Sequence, residues 1–370
     1  DITSLYGLSS IADDAALHAL EAIVFGQLVL VVTYMIFAPR VTKNLEVCSG
    51  VTNFPPRRVW LVLFAGLAAI PFVVAAKKQA LLQIVAGASM AYEVSGYLYL
   101  LPMAIIGIAT LILWLWSRGA LFGIQKAVAL IVILGGMAAT FDPSSRFQFI
   151  GFLVAAVSIL MAGMAVSKRM FSIAMMMTLS LGLFSLAGTM RDDNATMLAA
   201  FARLSAARDA NMLDGMGIVQ HISPDLLEYQ YGMGHVEIFL RPIPRSIWTS
   251  KPVGGYANKL NLLNRDDGST IGISPTLYGS FYLEGGFAAI FIFSLLYGIV
   301  MANIFKHSLR VNPAVFPLVK GIILASLIIL LRGGDLPGVY AFIGMSFWPC
   351  FLFLWMNRKL LRYQYTIQHA

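Results

Sequence analysis

The sequence predicts an all-α polytopic membrane protein with at least nine transmembrane helices and one large helical loop. Three observations predict it. Of the 370 residues, 59% are hydrophobic and only 12% charged, against roughly 25% charged in soluble domains. Mean hydropathy is +0.78. Apolar runs of about 17 to 25 residues, long enough to carry a helix across a bilayer, recur along the whole chain; a β-barrel would instead show alternating segments of about ten residues.

Taken in order, the spans read as Leu20–Ala38, Val59–Ala76, Tyr97–Trp116, Ala127–Phe141, Phe147–Val166, Met170–Gly188, Leu277–Ile304, Val315–Leu331 and Val339–Met356. Their connections alternate in charge. One side carries thirteen cations, Arg40, Lys43, Arg57, Arg58, Arg118, Lys126, Lys168, Arg169, Lys306, Arg310, Arg358, Lys359 and Arg362. The short loops of the other side hold Lys77, Lys78, Arg146 and Arg332. The positive-inside rule makes the first side cytoplasmic and puts the start of the chain outside. The same rule accounts for the net charge of +8, so nucleic acid is excluded as a partner. Cys48, in a basic loop, and Cys350, inside a span, are placed too differently to pair. The chain opens on Asp1 with no methionine and no leader pattern, which predicts a longer product and a preceding span.

The segments therefore divide into a first membrane bundle (residues 1–188), an outward-facing loop (189–276) and a second membrane bundle (277–370). Within the loop, "DDNATMLAAFARLSAARDA" spaces Met197, Phe201, Leu204 and Arg208 at helical intervals, with Asp193 or Asn194 to cap it. After "DGMG", "SPDLLEYQY" predicts a second helix with Ser223 as cap and Pro224 at its first position. A third short helix in "HVEIFLRPIPRSIW" is expected to end at Pro242 and Pro244.

The twelve residues "RPIPRSIWTSKP", Arg241 to Pro252, concentrate three cations and three prolines in an apolar chain. Proline fixes φ and restrains the residue before it, so Arg241, Arg245 and Lys251 are preorganised. An arginine fork takes two phosphate oxygens at once and lysine adds a compact charge, which points to a pyrophosphate. Interfacial anchoring, with Trp248 in the aromatic belt, is the competing reading.

The run "LLEYQYGMGHVEIFLRPIPRSIWTSKP" followed by "ISPTLYGSFYLEGGFAAIFIF" resembles the bacterial oligosaccharide repeat-unit polymerases, the Wzy-type O-antigen polymerases. Their "IPRS-large-W-x-x-KP" signature is matched by Ile243 to Ser246, Trp248, Lys251 and Pro252, with Thr249 and Ser250 in place of the usual proline-containing pair. The likeness covers roughly sixty residues; elsewhere it rests on span count and on Arg191 directly after a span. It implies a GT-C-like fold related to the large membrane glycosyltransferases and the O-antigen ligases. It also implies an inner-membrane enzyme, active at the periplasmic face, that moves a glycan from undecaprenyl pyrophosphate onto the terminal sugar of another lipid-linked repeat unit. No cofactor or metal is implied, and a polysaccharide chain-length regulator is an expected partner beside the lipid bilayer.

That transfer needs charge stabilisation on the departing pyrophosphate and, in one version, a base for the attacking hydroxyl. Arg245 and Arg191 are the leading pyrophosphate ligands, with Arg241, Lys251 and Arg332 behind them; Arg332 alternatively snorkels outward. Base candidates are His235, Glu237, His221, Asp192, Asp193 and Glu284, with His235 and Glu237 preferred beside Arg245. Histidine titrates near neutral pH, although a solvated loop histidine would look the same. Glu284, at the start of a span, is expensive without a partner, and Arg245 or Arg332 is the expected one. Trp248, Arg265, Tyr278 and Tyr282 are candidate sugar contacts, or else structural and interfacial residues. "RDDN" at Arg191 lacks the ligand number of a metal site, and its carboxylates suit a helix start. The rival functions are an O-antigen ligase and a non-enzymatic transporter of lipid-linked oligosaccharide; visible internal repeats would favour the transporter.

Overall fold

The computed structural model describes residues 12–39, 54–86, 103–140, 146–162, 164–189, 212–240, 243, 247–248, 275–332 and 336–369. Eleven α-helices run through these residues, which contain no strand. They are α1 (Ala12–Phe37), α2 (Pro56–Ala86), α3 (Ala104–Ser117), α4 (Ile124–Thr140), α5 (Arg146–Leu160), α6 (Val166–Thr189), α7 (Met212–Ile222), α8 (Met233–Leu240), α9 (Thr276–Val311), α10 (Phe316–Arg332) and α11 (Leu336–His369). Nine of these coincide with the nine apolar runs, and α7 and α8 lie in the long loop. Five stretches are long and apolar enough to cross a membrane: Ala15–Phe37, Pro56–Ala75, Thr276–Arg310, Pro313–Arg332 and Leu336–Leu361. The chain is a multi-pass membrane protein. Side chains such as Leu28, Met35, Ile36 and Phe72 stand exposed on these helices, as a lipid-facing surface requires.

By packing, the chain falls into two compact units: Asp1–Phe37, Arg203–Ala302 and Leu330–Tyr340 form one, and Ala38–Ala202, Asn303–Ile329 and Ala341–Ala370 the other. In the first unit α1 runs against α9 between Tyr278 and Gly298. Glycine makes the approach possible: a Cβ on Gly26 would sit 2.3 Å from the Tyr278 ring, and one on Gly298 would sit 2.9 Å from the Leu30 carbonyl oxygen. Phe25 fills the next gap against Phe287 and Phe291. Helix α7 docks on α1 as well, with the Gln220 side-chain amide donating to the His18 carbonyl at 3.3 Å.

The second unit is built around α3, whose residues from Ala104 to Leu115 are all buried. It packs against α2, α4 and α5. Backbones meet at small residues here too. Gly107 lies against the Ser346 carbonyl, Gly136 against Ala109, and Gly151 and Gly321 against the carbonyls of Ala325 and Ala155. Polar groups in this core find backbone partners: Trp114 Nε1 donates to Ala314 O at 2.9 Å, and the Cys350 thiol to Gly107 O at 3.1 Å. Asn312 caps the 3-10 turn Pro313–Val315 through Ala314 N and donates to Leu361 O.

One expected element is corrected. Residues 223–232 form turns and irregular chain, and the helix lies before them at Met212–Ile222, with "DGMG" inside it. Ser223 ends that helix, its N–H donating to Val219 O, and its hydroxyl donates to Leu227 O at 3.0 Å. Pro224 supplies no N–H to continue the ladder. Gly215 and Gly217 are tolerated in α7 because its apolar face, with Met216 and Val219 fully buried, is held by tertiary packing, which outweighs propensity. The expected third helix is present as α8. The expected helix near Met197 lies outside the described residues, as do Cys48, Arg191, Asp192, Asp193, Arg241, Arg245, Lys251 and Arg265.

Candidate functional site

Helix α9 is broken at Gly285 and Gly286, where φ of Gly286 is +66°. A kink frees carbonyls that a continuous helix would pair with its next turn, and in a membrane helix they need other partners. The loop supplies them. Gln230 N–H donates to Leu283 O at 2.8 Å and Tyr231 N–H to Glu284 O at 3.0 Å. Gly232, at φ +91°, then turns the chain into α8.

The Glu284 side chain completes this joint. It is 3% exposed and sits at the amino end of α8, where a carboxylate opposes the positive end of the helix dipole. Its Oε2 accepts from Gly232 N–H at 2.6 Å, and its Oε1 lies 3.3 Å from His235 Nδ1. Gly234 is required for that approach, since a Cβ there would lie 2.3 Å from Glu284 Oε1. The imidazole stacks on Phe293 at 4.0 Å between ring centres, with the Phe281 ring 5.8 Å away.

The far nitrogen of the ring, Nε2, lies 3.3 Å from the Tyr297 hydroxyl, which accepts from Tyr340 OH at 2.6 Å. With Tyr340 donating to Tyr297, the arrangement is satisfied if Tyr297 donates to Nε2 and the Nδ1 proton faces Glu284. That tautomer is assigned from the partners rather than seen. The result is a directional chain from Tyr340 through Tyr297 and His235 to Glu284. Both nitrogens of His235 are engaged inside the unit, which gives the residue a positioning role: it locks α8 onto α9. Ile243, the first residue of "IPRS", donates its N–H to Leu240 O at the end of α8. The start of the basic segment is thus tied, through α8, to the kink.

The other sequence candidates are placed as follows. Glu237 is buried on α8, His221 is exposed at the end of α7, and Trp248 is half-buried. Tyr278 is 2% exposed, packs over Gly26 and donates to Gln27 Oε1, a structural position. Tyr282 meets Tyr229 edge to face at 6.1 Å, and Tyr229 meets the exposed Tyr231 at 6.2 Å. Arg332 is the half-buried last residue of α10. Glu284 was expected to pair with Arg245 or Arg332; the partners described here are Gly232 and His235. Sequence reasoning missed Tyr297, Tyr340, Phe293 and Gly234. The "EGG" at the start of the span was the available signal, because paired glycines after a membrane carboxylate mark a kink with carbonyls to satisfy. Among the described residues no group of three His, Cys, Asp or Glu side chains gathers to hold a metal ion. Compared with family models, with curated proteins and with solved structures, the chain matches none.

Proposed function

We propose that this chain is a glycosyltransferase of the bacterial inner membrane that polymerises undecaprenyl-pyrophosphate-linked repeat units into O-antigen or a related surface polysaccharide. In this reading all nine long apolar runs span the membrane in a GT-C-like arrangement, the site faces the periplasm, and a chain-length regulator works beside it. One observation carries it: the two stretches that resemble repeat-unit polymerases are joined by the Glu284–His235 contact, across 49 residues of sequence. The contact holds the helix that leads into "RPIPRSIWTSKP" against a helix long and apolar enough to cross a membrane.

The chemistry follows from the donor. The bond between the sugar's anomeric carbon and the pyrophosphate oxygen breaks, and the acceptor hydroxyl oxygen takes its place at that carbon. The departing pyrophosphate carries its negative charge to Arg245 and Arg191, supported by Arg241, Lys251 and Arg332. His235 and Glu284 position the basic segment, and Glu237, one turn along α8, stands as candidate base for the hydroxyl proton.

The test is reconstitution in nanodiscs with the native lipid-linked repeat unit, with and without EDTA, read as a glycan ladder. A ladder that survives EDTA and is lost in folded Arg245→Ala supports the reading. No ladder from intact wild-type protein overturns it: transfer to another lipid acceptor would favour a ligase, and transbilayer movement without covalent change a transporter.

A further inference from the structure

In the second unit, the start of α2 meets the Trp355–Leu360 stretch of α11 around a cleft of about 540 Å³, lined by Arg58, Trp355, Met356, Arg358, Lys359 and Leu360. Three of its six lining residues are cations, and neither helix contains an aspartate or glutamate. The neutralising charge for this cleft is thus supplied by neither of its own helices.

The two guanidinium groups are held rather than merely solvated. Arg58 Nη1 donates to the side-chain oxygen of Asn357, which is 1% exposed and itself donates to Phe353 O at 2.7 Å. One of five guanidinium donors is used in this way, and it orients the fork. Arg358 lies over the Trp355 ring at 5.6 Å, a cation–π contact that sets a second guanidinium. Phe54, just before α2, wedges against Phe353 at 5.2 Å and Trp114 at 5.8 Å between ring centres, so the start of α2 is fixed against the middle of α11, a turn before the cleft. The apolar wall differs from a soluble anion site: Trp355 is 63% and Met356 54% exposed, on a helix long and apolar enough to cross the membrane.

Oriented cations above exposed apolar side chains at a span's end fit a molecule with a phosphate head and acyl tails. We propose that this cleft is a binding site for an anionic phospholipid, with its phosphate held by Arg58, Arg358 and Lys359 and an acyl chain lying along Trp355 and Met356. This end of both helices belongs to the side with thirteen loop cations, which the positive-inside rule faces towards the anionic cytoplasmic leaflet. The site is independent of the glycan-transfer reading and does not use its residues.

The experiment is native mass spectrometry of the full chain in detergent, titrated with phosphatidylglycerol, with phosphatidylcholine of the same acyl chains, or with inorganic phosphate as competitor. The expected result is discrete phosphatidylglycerol adducts at least about fivefold more populated than phosphatidylcholine adducts, and not displaced by millimolar phosphate. Arg358→Ala/Lys359→Ala, two exposed positions, should lower adduct occupancy about fivefold with an unchanged melting temperature. Arg58→Lys, which keeps the charge and loses the fork, should lower it less. Lys168→Ala/Arg169→Ala removes the same net charge elsewhere and should leave occupancy unchanged. Equal binding of the two lipids, equal loss in the control variant, or retained adducts in Arg358→Ala/Lys359→Ala would overturn the site. Full displacement by phosphate would overturn its assignment to a lipid.

Discussion

The core around α3 and the joint between α8 and α9 are held together by different physics. Around α3, every residue from Ala104 to Leu115 is buried, and contact is made by backbones meeting over glycine. Stability there is set by volume. At the α8–α9 joint, four side chains and three loop N–H groups close a kink through hydrogen bonds with defined donors and acceptors. Stability there is set by satisfaction of polar groups. The first arrangement fails when an atom is added; the second fails when a polar partner is removed, or when an added atom displaces one.

The largest effect is expected from addition. A Cβ on Gly107 would lie 2.2 Å from Ser346 O and 3.2 Å from Phe347 Cα, both backbone atoms that cannot swing aside. Gly107→Val should cost about 3 kcal/mol, seen as loss of the monodisperse peak in size-exclusion chromatography and a collapsed melting temperature. A melting curve like that of wild type would break the claim that this core is volume-limited. Next comes removal of the acceptor at the joint. Glu284→Ala leaves Gly232 N–H and His235 without their buried partner and should cost roughly 2 kcal/mol. Glu284→Gln, which keeps one acceptor oxygen, should recover about half of it. Equal melting temperatures for Ala and Gln would show that the carboxylate's hydrogen bonds do not hold the joint.

The two regions were also unequally legible in the sequence. Spans could be read because length and apolar periodicity are local properties, and α8 could be read because Pro242 and Pro244 follow it. The turn at Ser223-Pro224 was misread because the same dipeptide opens helices and ends them; what decided was the docking of α7 on α1, made by residues such as Gln220 and His18 that are 202 positions apart. Glu284 announced itself as a membrane carboxylate in need of a partner. That the partner is His235, and that Tyr297 and Tyr340 continue the chain, depends on the break at Gly286 and on three segments meeting. Tyrosine near a span end reads equally as an interfacial anchor.

Smaller effects sharpen the contrast within the first unit. At Gly234 a Cβ would lie 2.3 Å from Glu284 Oε1, whereas at Gly217 the nearest neighbour is 3.8 Å away. Gly234→Ala should cost roughly 1 to 2 kcal/mol by displacing the carboxylate. Gly217→Ala, inside α7, should be neutral or gain up to about 1 kcal/mol through the lower helix cost of alanine. Thermal unfolding of the two variants side by side measures both. Parallel shifts would mean that neither position senses the joint.

The smallest effect belongs to the end of the hydrogen-bond chain. Tyr340→Phe removes a donor to Tyr297 and nothing else, for about 1 kcal/mol. Because Tyr297 keeps its own proton, it still donates to His235 Nε2, so the imidazole should remain in the Nδ1–H tautomer. Tyr297→Phe is different: it removes the donor to Nε2 and the reason for that tautomer. Nitrogen-15 NMR of histidine-labelled protein distinguishes the two cases by the ring shifts of His235. An Nδ1–H signal kept in Tyr340→Phe and averaged in Tyr297→Phe is the expected pair. If both variants average it, the tautomer is set by the chain as a whole; if neither does, Glu284 alone orients the ring and the tyrosines contribute packing.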